Sequence, residues 1–380
     1  MMLAGEPSGD LHGAYLAEAL RSLRPDVTLF GAGGPLMKEA GVRIEVDLTE
    51  KAVIGIWEVV KNLSEFRKTF HFLLRRCEAE KPDAVILIDY PGFNLRFAKA
   101  VKRLGIRVIY YISPQVWAWG GWRIPTIRDV VDQMIVVFAF EEIFYKRHGI
   151  RAHFVGHPLL DLLAKEAPRR EELLLPKGKR LIGLLPGSRE REVASLLPIM
   201  IEAGRLLTKK LPDLHFLIFQ SPNLSDSLYQ KTPLDNLPAT FVRDADYHYR
   251  RRIDFSLVAS GTATLENAIL GKPMVILYRT SLVTYFLAKG LIQIPYIGLV
   301  NVVAGEKIIP ECLQYQATPE CVAETALSLL KNPGKLERMN RDLSGIREKL
   351  GNSGASLRAA KTILEQLHAS GAPDKGDNQK

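Results

Sequence analysis

ILIDYPGFN, residues 86–94, holds a strand end, a turn and a helix start in nine residues. It closes an apolar run that begins at Ala84, ends at Asp89, turns at Pro91 and Gly92, and gives way to an amphipathic pattern over 94–104. An apolar, β-branched run without alternation marks a strand buried on both faces, and the turn hands the chain to a helix. The same succession recurs outward in both directions. Apolar runs at 1–4, 27–30, 108–112 and 134–138 are separated by amphipathic stretches such as 11–23 and 64–80. A second series at 181–185, 215–219, 255–258 and 274–277 again has helical patterns between its members. This alternation predicts an α/β protein of two doubly wound, Rossmann-like domains, each a parallel sheet covered by helices.

The boundary is expected around 160–179, where apolar residues give way to AKEAPRREE and then to Pro176, Lys177 and Gly178. The expected organisation is an N-terminal domain over 1–165 and a C-terminal domain over 175–345. A C-terminal helix at about 350–369 packs back on the first domain, and a disordered tail, SGAPDKGDNQK, fills 370–380. The run at 1–4 is short for a central strand, which reads as a start lacking several residues.

Composition sets the bounds. The chain has 380 residues, 47% hydrophobic and 24% charged, enough for two cores and unlike collagen, a coiled coil, a disulfide scaffold or a wholly disordered chain. Cys77, Cys312 and Cys321 lie far apart with no CxxC, which argues against structural zinc and for a reducing compartment. No signal peptide or spanning helix is legible: the most apolar segment, 281–304, is broken by Lys289, Gly290, Pro295, Gly298 and Asn301. The expectation is a soluble, cytoplasmic protein. Its net charge of +9 favours an anionic partner, whether nucleic acid, a membrane surface or a phosphorylated substrate.

Four junctions between strand and helix carry chemistry. Gly5-Glu6-Pro7-Ser8-Gly9-Asp10 is either a tight turn or a seat for an anion or sugar hydroxyl, and Glu6 sits where such folds bind ligands. Its glycines at 5, 9 and 13 do not follow the dinucleotide fingerprint. Asp89 stands at a strand's C-terminal edge, as a proton acceptor for a substrate hydroxyl or as a local cap, and pairs with Glu6 as a second carboxylate. Pro186-Gly187-Ser188-Arg189 offers amides, a helix dipole and a guanidinium to a diphosphate without being a Walker loop. Ser260-Gly261-Thr262 opens a helix in which Glu266, one turn in, can accept both hydroxyls of a ribose or simply be an acidic first-turn residue.

WEVVKNLSEFRKTFHFLLRR, residues 57–76, places Trp57, Val59, Val60, Leu63, Phe66 and Phe70 among Lys61, Arg67, Lys68, His71, Arg75 and Arg76. Its apolar side chains exceed one core-facing stripe, which favours a lipid boundary with basic groups at head-group phosphates. A packed helix with snorkelling cations is the alternative. The run Arg250-Arg251-Arg252 reads as a solvated face, and His157 as structural. No GxSxG or HExxH pattern is present, and no DxD doublet is read as the sort that holds a metal beside a sugar diphosphate, so neither a hydrolase nucleophile nor such a metal is expected.

In this order the motifs resemble the lipid-A-disaccharide synthase family: AGEPSGD (4–10), IDYPGFN (88–94), ISPQVWAWG (112–120), FVGHPLLD (154–161), LLPGSRERE (184–192), ASGTATLE (259–266) and IPYIGLVNVVAG (294–305). The resemblance implies a GT-B glycosyltransferase of Gram-negative bacteria, its two domains facing across a cleft, peripheral on the inner face of the inner membrane, metal-independent, inverting and without cofactor. Donor and acceptor would be UDP-2,3-diacylglucosamine and 2,3-diacylglucosamine 1-phosphate (lipid X), with no nucleic acid partner. By this resemblance Asp89, Glu6 and Asn301 are catalytic, with Asp89 the favoured base. Gly187, Ser188, Arg189, Ser260, Gly261, Thr262 and Glu266 hold the nucleotide diphosphate. Ser8, Trp117, Arg123 and the stretch from Trp57 to Phe70 face acceptor or membrane. WAWGG stands where relatives have WAWR, so Arg123 or Arg128 is expected to substitute, and LVN at 299–301 replaces LPN. Relatives form dimers by exchanging C-terminal segments, so a homodimer is a further expectation. Same-fold alternatives are a peptidoglycan N-acetylglucosaminyltransferase and a UDP-GlcNAc 2-epimerase, against which AGEPSGD and SPQVWAW argue. A non-catalytic lipid- or nucleotide-binding module is the alternative of another class.

Overall fold

The structure, a computed structural model, describes residues 1–49, 63–164, 175–244, 247–280 and 294–368. Trp57, Val59, Val60, the side chain of Leu63, residues 165–174 of the expected boundary and the tail at 370–380 lie outside the described residues. The chain divides into two compact units, one of Met1–Asp161 with the chain from Gly351 onward, the other of Leu162–Leu350.

The first unit is built on β1 (Met2–Ala4), β2 (Phe30–Gly33), β3 (Arg43–Asp47), β4 (Ala84–Ile88), β5 (Arg107–Tyr111), β6 (Gln133–Val136) and β7 (Ala152–Phe154). They pair in the order β3-β2-β1-β4-β5-β6-β7, every pair parallel. All five residues of β4 are buried, as a parallel strand covered on both faces must be. One face packs Leu3, Leu87, Tyr110 and Met134 with Leu73, Phe97 and Val101 from helices Leu63–Glu80 and Pro91–Arg103. The other face packs Met2, Ile86, Ile88 and Ile109 with Leu16, Ala17 and Leu20 of helix Pro7–Leu23, and Ala359, Ala360 and Ile363 of helix Ala355–His368 complete it.

The second unit carries β8 (Arg180–Leu185), β9 (Leu214–Gln220), β10 (Ala239–Arg243), β11 (Phe255–Ala259), β12 (Met274–Tyr278) and β13 (Glu311–Leu313). Their order is β10-β9-β8-β11-β12-β13, again parallel throughout.

The interior strands coincide with the apolar runs to within two residues, except β2. The sequence places it at 27–30, whereas the strand is Phe30–Gly33. Its partners for β1 are Gly31 and Ala32, whose side chains are too small to register in a hydrophobic pattern. β3, β7, β10 and β13 do not show as apolar runs. Each is the terminal strand of its sheet, where pairing is one-sided and charged residues are favoured.

Candidate active site

Sheet order sets where ligands go. The first sheet reverses its winding between β1 and β4, the second between β8 and β11. At such a point loops leaving neighbouring strands diverge and open a crevice beyond the carboxyl ends. All four sequence motifs sit at these two points: residues 5–10 follow β1, 89–92 follow β4, 186–189 follow β8 and 260–262 follow β11.

At the first switch point the two loops touch. A Cβ on Gly5 would lie 2.2 Å from the Tyr90 ring, so the approach requires glycine. Asp89 and Tyr90 both adopt left-handed backbone, each with φ 46°. Such residues cost of order 1 kcal/mol or more each and persist where their surroundings hold them. Here Asn94 Nδ2 donates to the carbonyls of Ile88 (3.2 Å) and Asp89 (2.8 Å), and the Tyr110 hydroxyl donates to the Asp89 carbonyl (2.5 Å). Burial pushes the Asp89 carboxyl up to about 6; the charge of Glu6 adds to the rise and the Tyr90 amide opposes it. Asp89 is therefore ionised at neutral pH yet a much stronger base than an exposed aspartate, the property a general base needs. Glu6 is half-buried and Ser8 exposed in the first helical turn. Asp10, by contrast, is committed to structure, accepting from the amides of Gly34 (2.7 Å), Leu36 (3.0 Å) and Met37 (3.1 Å).

The loop after β5 is anchored from within. Trp117 is buried and its indole donates to Glu141 Oε1 at 2.8 Å; Ser113 Oγ donates to the same oxygen at 2.7 Å and the Phe138 amide to Oε2 at 3.2 Å. Burial raises Glu141 to about 7 against these bonds. Trp117 thus serves the loop's interior, and the exposed rings are Trp119 and Trp122, with Arg123 over them at 5.0 and 5.8 Å. Phe66 and Phe70 likewise turn inward against the core, Phe70 meeting Phe93 and Phe97 edge-on at 5.8 and 5.4 Å. These two rings belong to ordinary helix packing, while Arg67, Lys68, His71, Phe72 and Arg75 face outward. His157 is buried and held neutral by burial, well below the usual histidine range, with Nδ1 accepting from the Leu159 amide.

At the second switch point Pro186–Arg189 runs into helix Glu190–Lys210 with Arg189 as its N-cap. Arg189 is 78% exposed. Across the crevice, Ser260 Oγ donates to the Ile297 carbonyl at 3.0 Å, and Gly261 caps helix Thr262–Ile269. Glu266, one turn in, is bonded to Arg250, both side chains being largely buried. The Arg250 guanidinium also lies over Phe219 (5.4 Å) and Tyr247 (5.1 Å). Burial and the Glu266 charge raise the Tyr247 hydroxyl above the ordinary tyrosine range. Arg250 thus departs from the solvated face read for residues 250–252: a buried glutamate needs a cation, and only the first arginine of the run reaches it, Arg251 and Arg252 being exposed.

Asn301 has no exposed surface. Its Nδ2 donates to the Ile309 carbonyl and Glu311 Oε1, both at 2.8 Å, and its Oδ1 accepts from the amides of Ile308 (3.1 Å) and Ile309 (2.9 Å). That uses all its hydrogen-bonding capacity, so here Asn301 positions the backbone around it. Glu311 on β13 also accepts from the amides of Ile297 (3.3 Å) and Gly298 (3.0 Å). Sequence reading missed Glu311; its signal was a lone carboxylate in the short apolar stretch IIPECL. Among the described residues no group of three or more His, Cys, Asp or Glu side chains converges as a metal site.

The family model of lipid-A-disaccharide synthetase matches residues 1–365. The chain belongs to the lipid-A-disaccharide synthetase family. One member, the lipid-A-disaccharide synthase of Geobacter sulfurreducens, is 42% identical over 371 residues, 97% of each chain. Membership makes the chain an enzyme, a glycosyltransferase of lipid A biosynthesis. Among solved structures it is similar to MnaA of S. aureus in a co-structure with UDP (TM-score 0.68, 14% identity, 97% of this chain and 96% of that one). It is also similar to CalG4, the calicheamicin glycosyltransferase (TM-score 0.62, 15% identity, 98% of each). At such identities the likeness shows the fold alone: two parallel-sheet α/β domains of the GT-B type. No helix among the described residues is long and apolar enough to cross a membrane.

Proposed function

We propose that the chain transfers 2,3-diacylglucosamine from its UDP conjugate to the 6-hydroxyl of 2,3-diacylglucosamine 1-phosphate, with inversion, releasing UDP and the β-1,6-linked disaccharide 1-phosphate. The observation that carries this reading is Asp89, a strained, half-buried carboxylate raised to about 6 at a switch point. The acceptor's O6 gives its proton to Asp89 and forms a bond to the anomeric carbon. The bond from that carbon to the diphosphate oxygen breaks, and its electron pair leaves with UDP. Developing charge on the diphosphate is met by Arg189 and by amides around Gly187 and Ser188, with Ser260, Gly261 and Thr262 lining the same crevice. Glu266, steadied by Arg250, keeps lone pairs free for the ribose hydroxyls, and Asn301 holds the segment behind Ser260. Glu6 keeps Asp89 basic.

On the acceptor side, Ser8 and Arg123 are proposed contacts for the sugar phosphate. Trp57, Val59, Val60 and Leu63 are proposed to meet acyl chains at the anionic inner face of the inner membrane, with the outward cations of helix Leu63–Glu80 at its head groups. The test is incubation of purified protein with both acylated sugars and mass analysis for the disaccharide 1-phosphate. Full turnover is expected in excess EDTA. Absence of the disaccharide overturns the reaction, and abolition by chelator overturns the metal-free step.

A further inference from the structure

The turn proposed to hold the donor's diphosphate already holds an anion of its own. Glu192, in the first turn of helix Glu190–Lys210, curls back so that Oε2 accepts from the Ser188 amide at 3.1 Å and Oε1 from Arg189 Nη1 at 3.2 Å. The carboxylate lies directly against Gly187: a Cβ there would be 2.4 Å from Glu192 Oε2 and 2.7 Å from Glu192 Cβ, and Gly187 has φ 116°. Amide, guanidinium and glycine are the same three groups assigned to the diphosphate. A capping interaction alone would need only the amide; here the carboxylate also takes the one cation of the turn.

We infer that Glu192 is an internal surrogate for the diphosphate, displaced when the nucleotide binds and returning when it leaves. This rests on the donor-site reading above. The empty turn is never bare: Arg189 and the Ser188 amide exchange one anionic partner for another. Binding free energy is therefore the difference between two partners, and the apparent affinity for UDP falls by the fraction of molecules in which the turn is already occupied. The consequence falls on the product, because a carboxylate poised to reclaim Arg189 favours release of UDP. It falls equally on any ligand bearing the diphosphate, and not on the nucleoside.

Glu192→Gln separates the two roles. The glutamine oxygen still accepts from the Ser188 amide, so the helix start is preserved, but the charge that competes for Arg189 is gone. UDP and uridine binding are measured by calorimetry on the full chain, wild type and variant. The expected result is UDP binding tighter by about two- to fivefold, the scale of a weak, exposed ion pair removed from competition, with uridine unchanged. UDP affinity unchanged or weaker in the variant would overturn the inference, as would equal tightening of uridine. Wild-type protein that binds neither ligand would bring down the donor-site reading first, and this inference with it.

Discussion

Replacing Asp89 by Asn should make the protein more stable and nearly inactive at once. Asparagine tolerates the left-handed backbone that Asp89 adopts (φ 46°) and keeps an oxygen for the Tyr90 amide, so the loop is preserved. What is lost is a half-buried, largely desolvated charge. The carboxyl is raised from 3.8 to about 6. A two-unit rise at about 1.36 kcal/mol per unit makes the ionised form cost the fold up to ~3 kcal/mol at neutral pH. The sign follows from proton binding: between pH 4 and 6 the folded state binds more protons here than the unfolded state, so stability falls as pH rises through that window and is flat above it. The assay is urea unfolding of wild type and variant at pH 5 and 7.5, beside turnover at pH 7.5. The variant should be more stable at pH 7.5 by about 1–3 kcal/mol, with roughly half that advantage at pH 5, and at least about 100-fold slower. A variant no more stable than wild type at pH 7.5 would refute burial as the source of the raised pKa, and one with near-normal turnover would remove Asp89 as the base.

Other outcomes can be checked. Glu6→Gln removes the like charge but not the burial, so the acid limb of kcat/KM should move to lower pH while staying above the limb of an exposed aspartate; a limb that stays put shows the carboxylates to be uncoupled. Arg189→Ala should slow turnover at least about 100-fold with an unchanged melting temperature, since the side chain is 78% exposed; a lowered melting temperature would make the arginine structural. Glu311→Ala leaves the amides of Ile297 and Gly298 and Asn301 Nδ2 without that acceptor, at about 1–3 kcal/mol for each donor stranded, and should raise KM for the donor sugar more than for the acceptor. A melting temperature and KM values like those of wild type would show that the network does not hold the segment.

The doubly wound halves were legible because interior parallel strands, buried on both faces, must be apolar throughout, as 84–88 and 181–185 are. The terminal strands were not, since Arg43–Asp47 pairs on one side only and is free to be polar. Motif positions were legible because a strand's end is abrupt in sequence, but the direction of each side chain was not. Trp117 and Asn301 belong to motifs that sequence assigns to a site, yet both are buried and bonded inward, to Glu141 and Glu311, partners 24 and 10 residues away. Arg250 shows the converse, a residue hidden in a run of three arginines whose burial depends on where Glu266 arrives. Side-chain pairing across loops has no local pattern, so a one-dimensional reading does not contain it. That lipid A biosynthesis is the pathway served was legible only through AGEPSGD and SPQVWAW, as a resemblance.

Helix Ala355–His368 lies against helix Pro7–Leu23 and seals one face of the first sheet with Ala359, Ala360 and Ile363. On the ribosome, this face of the first sheet must therefore wait for helix Ala355–His368 to emerge before its cover is complete. Meanwhile the second unit, drawn from one continuous run of chain, is free to mature. Synthesis order and folding order are in this way uncoupled, and a nascent chain stalled after residue 350 would lack the cover that Ala359, Ala360 and Ile363 give this face of the sheet.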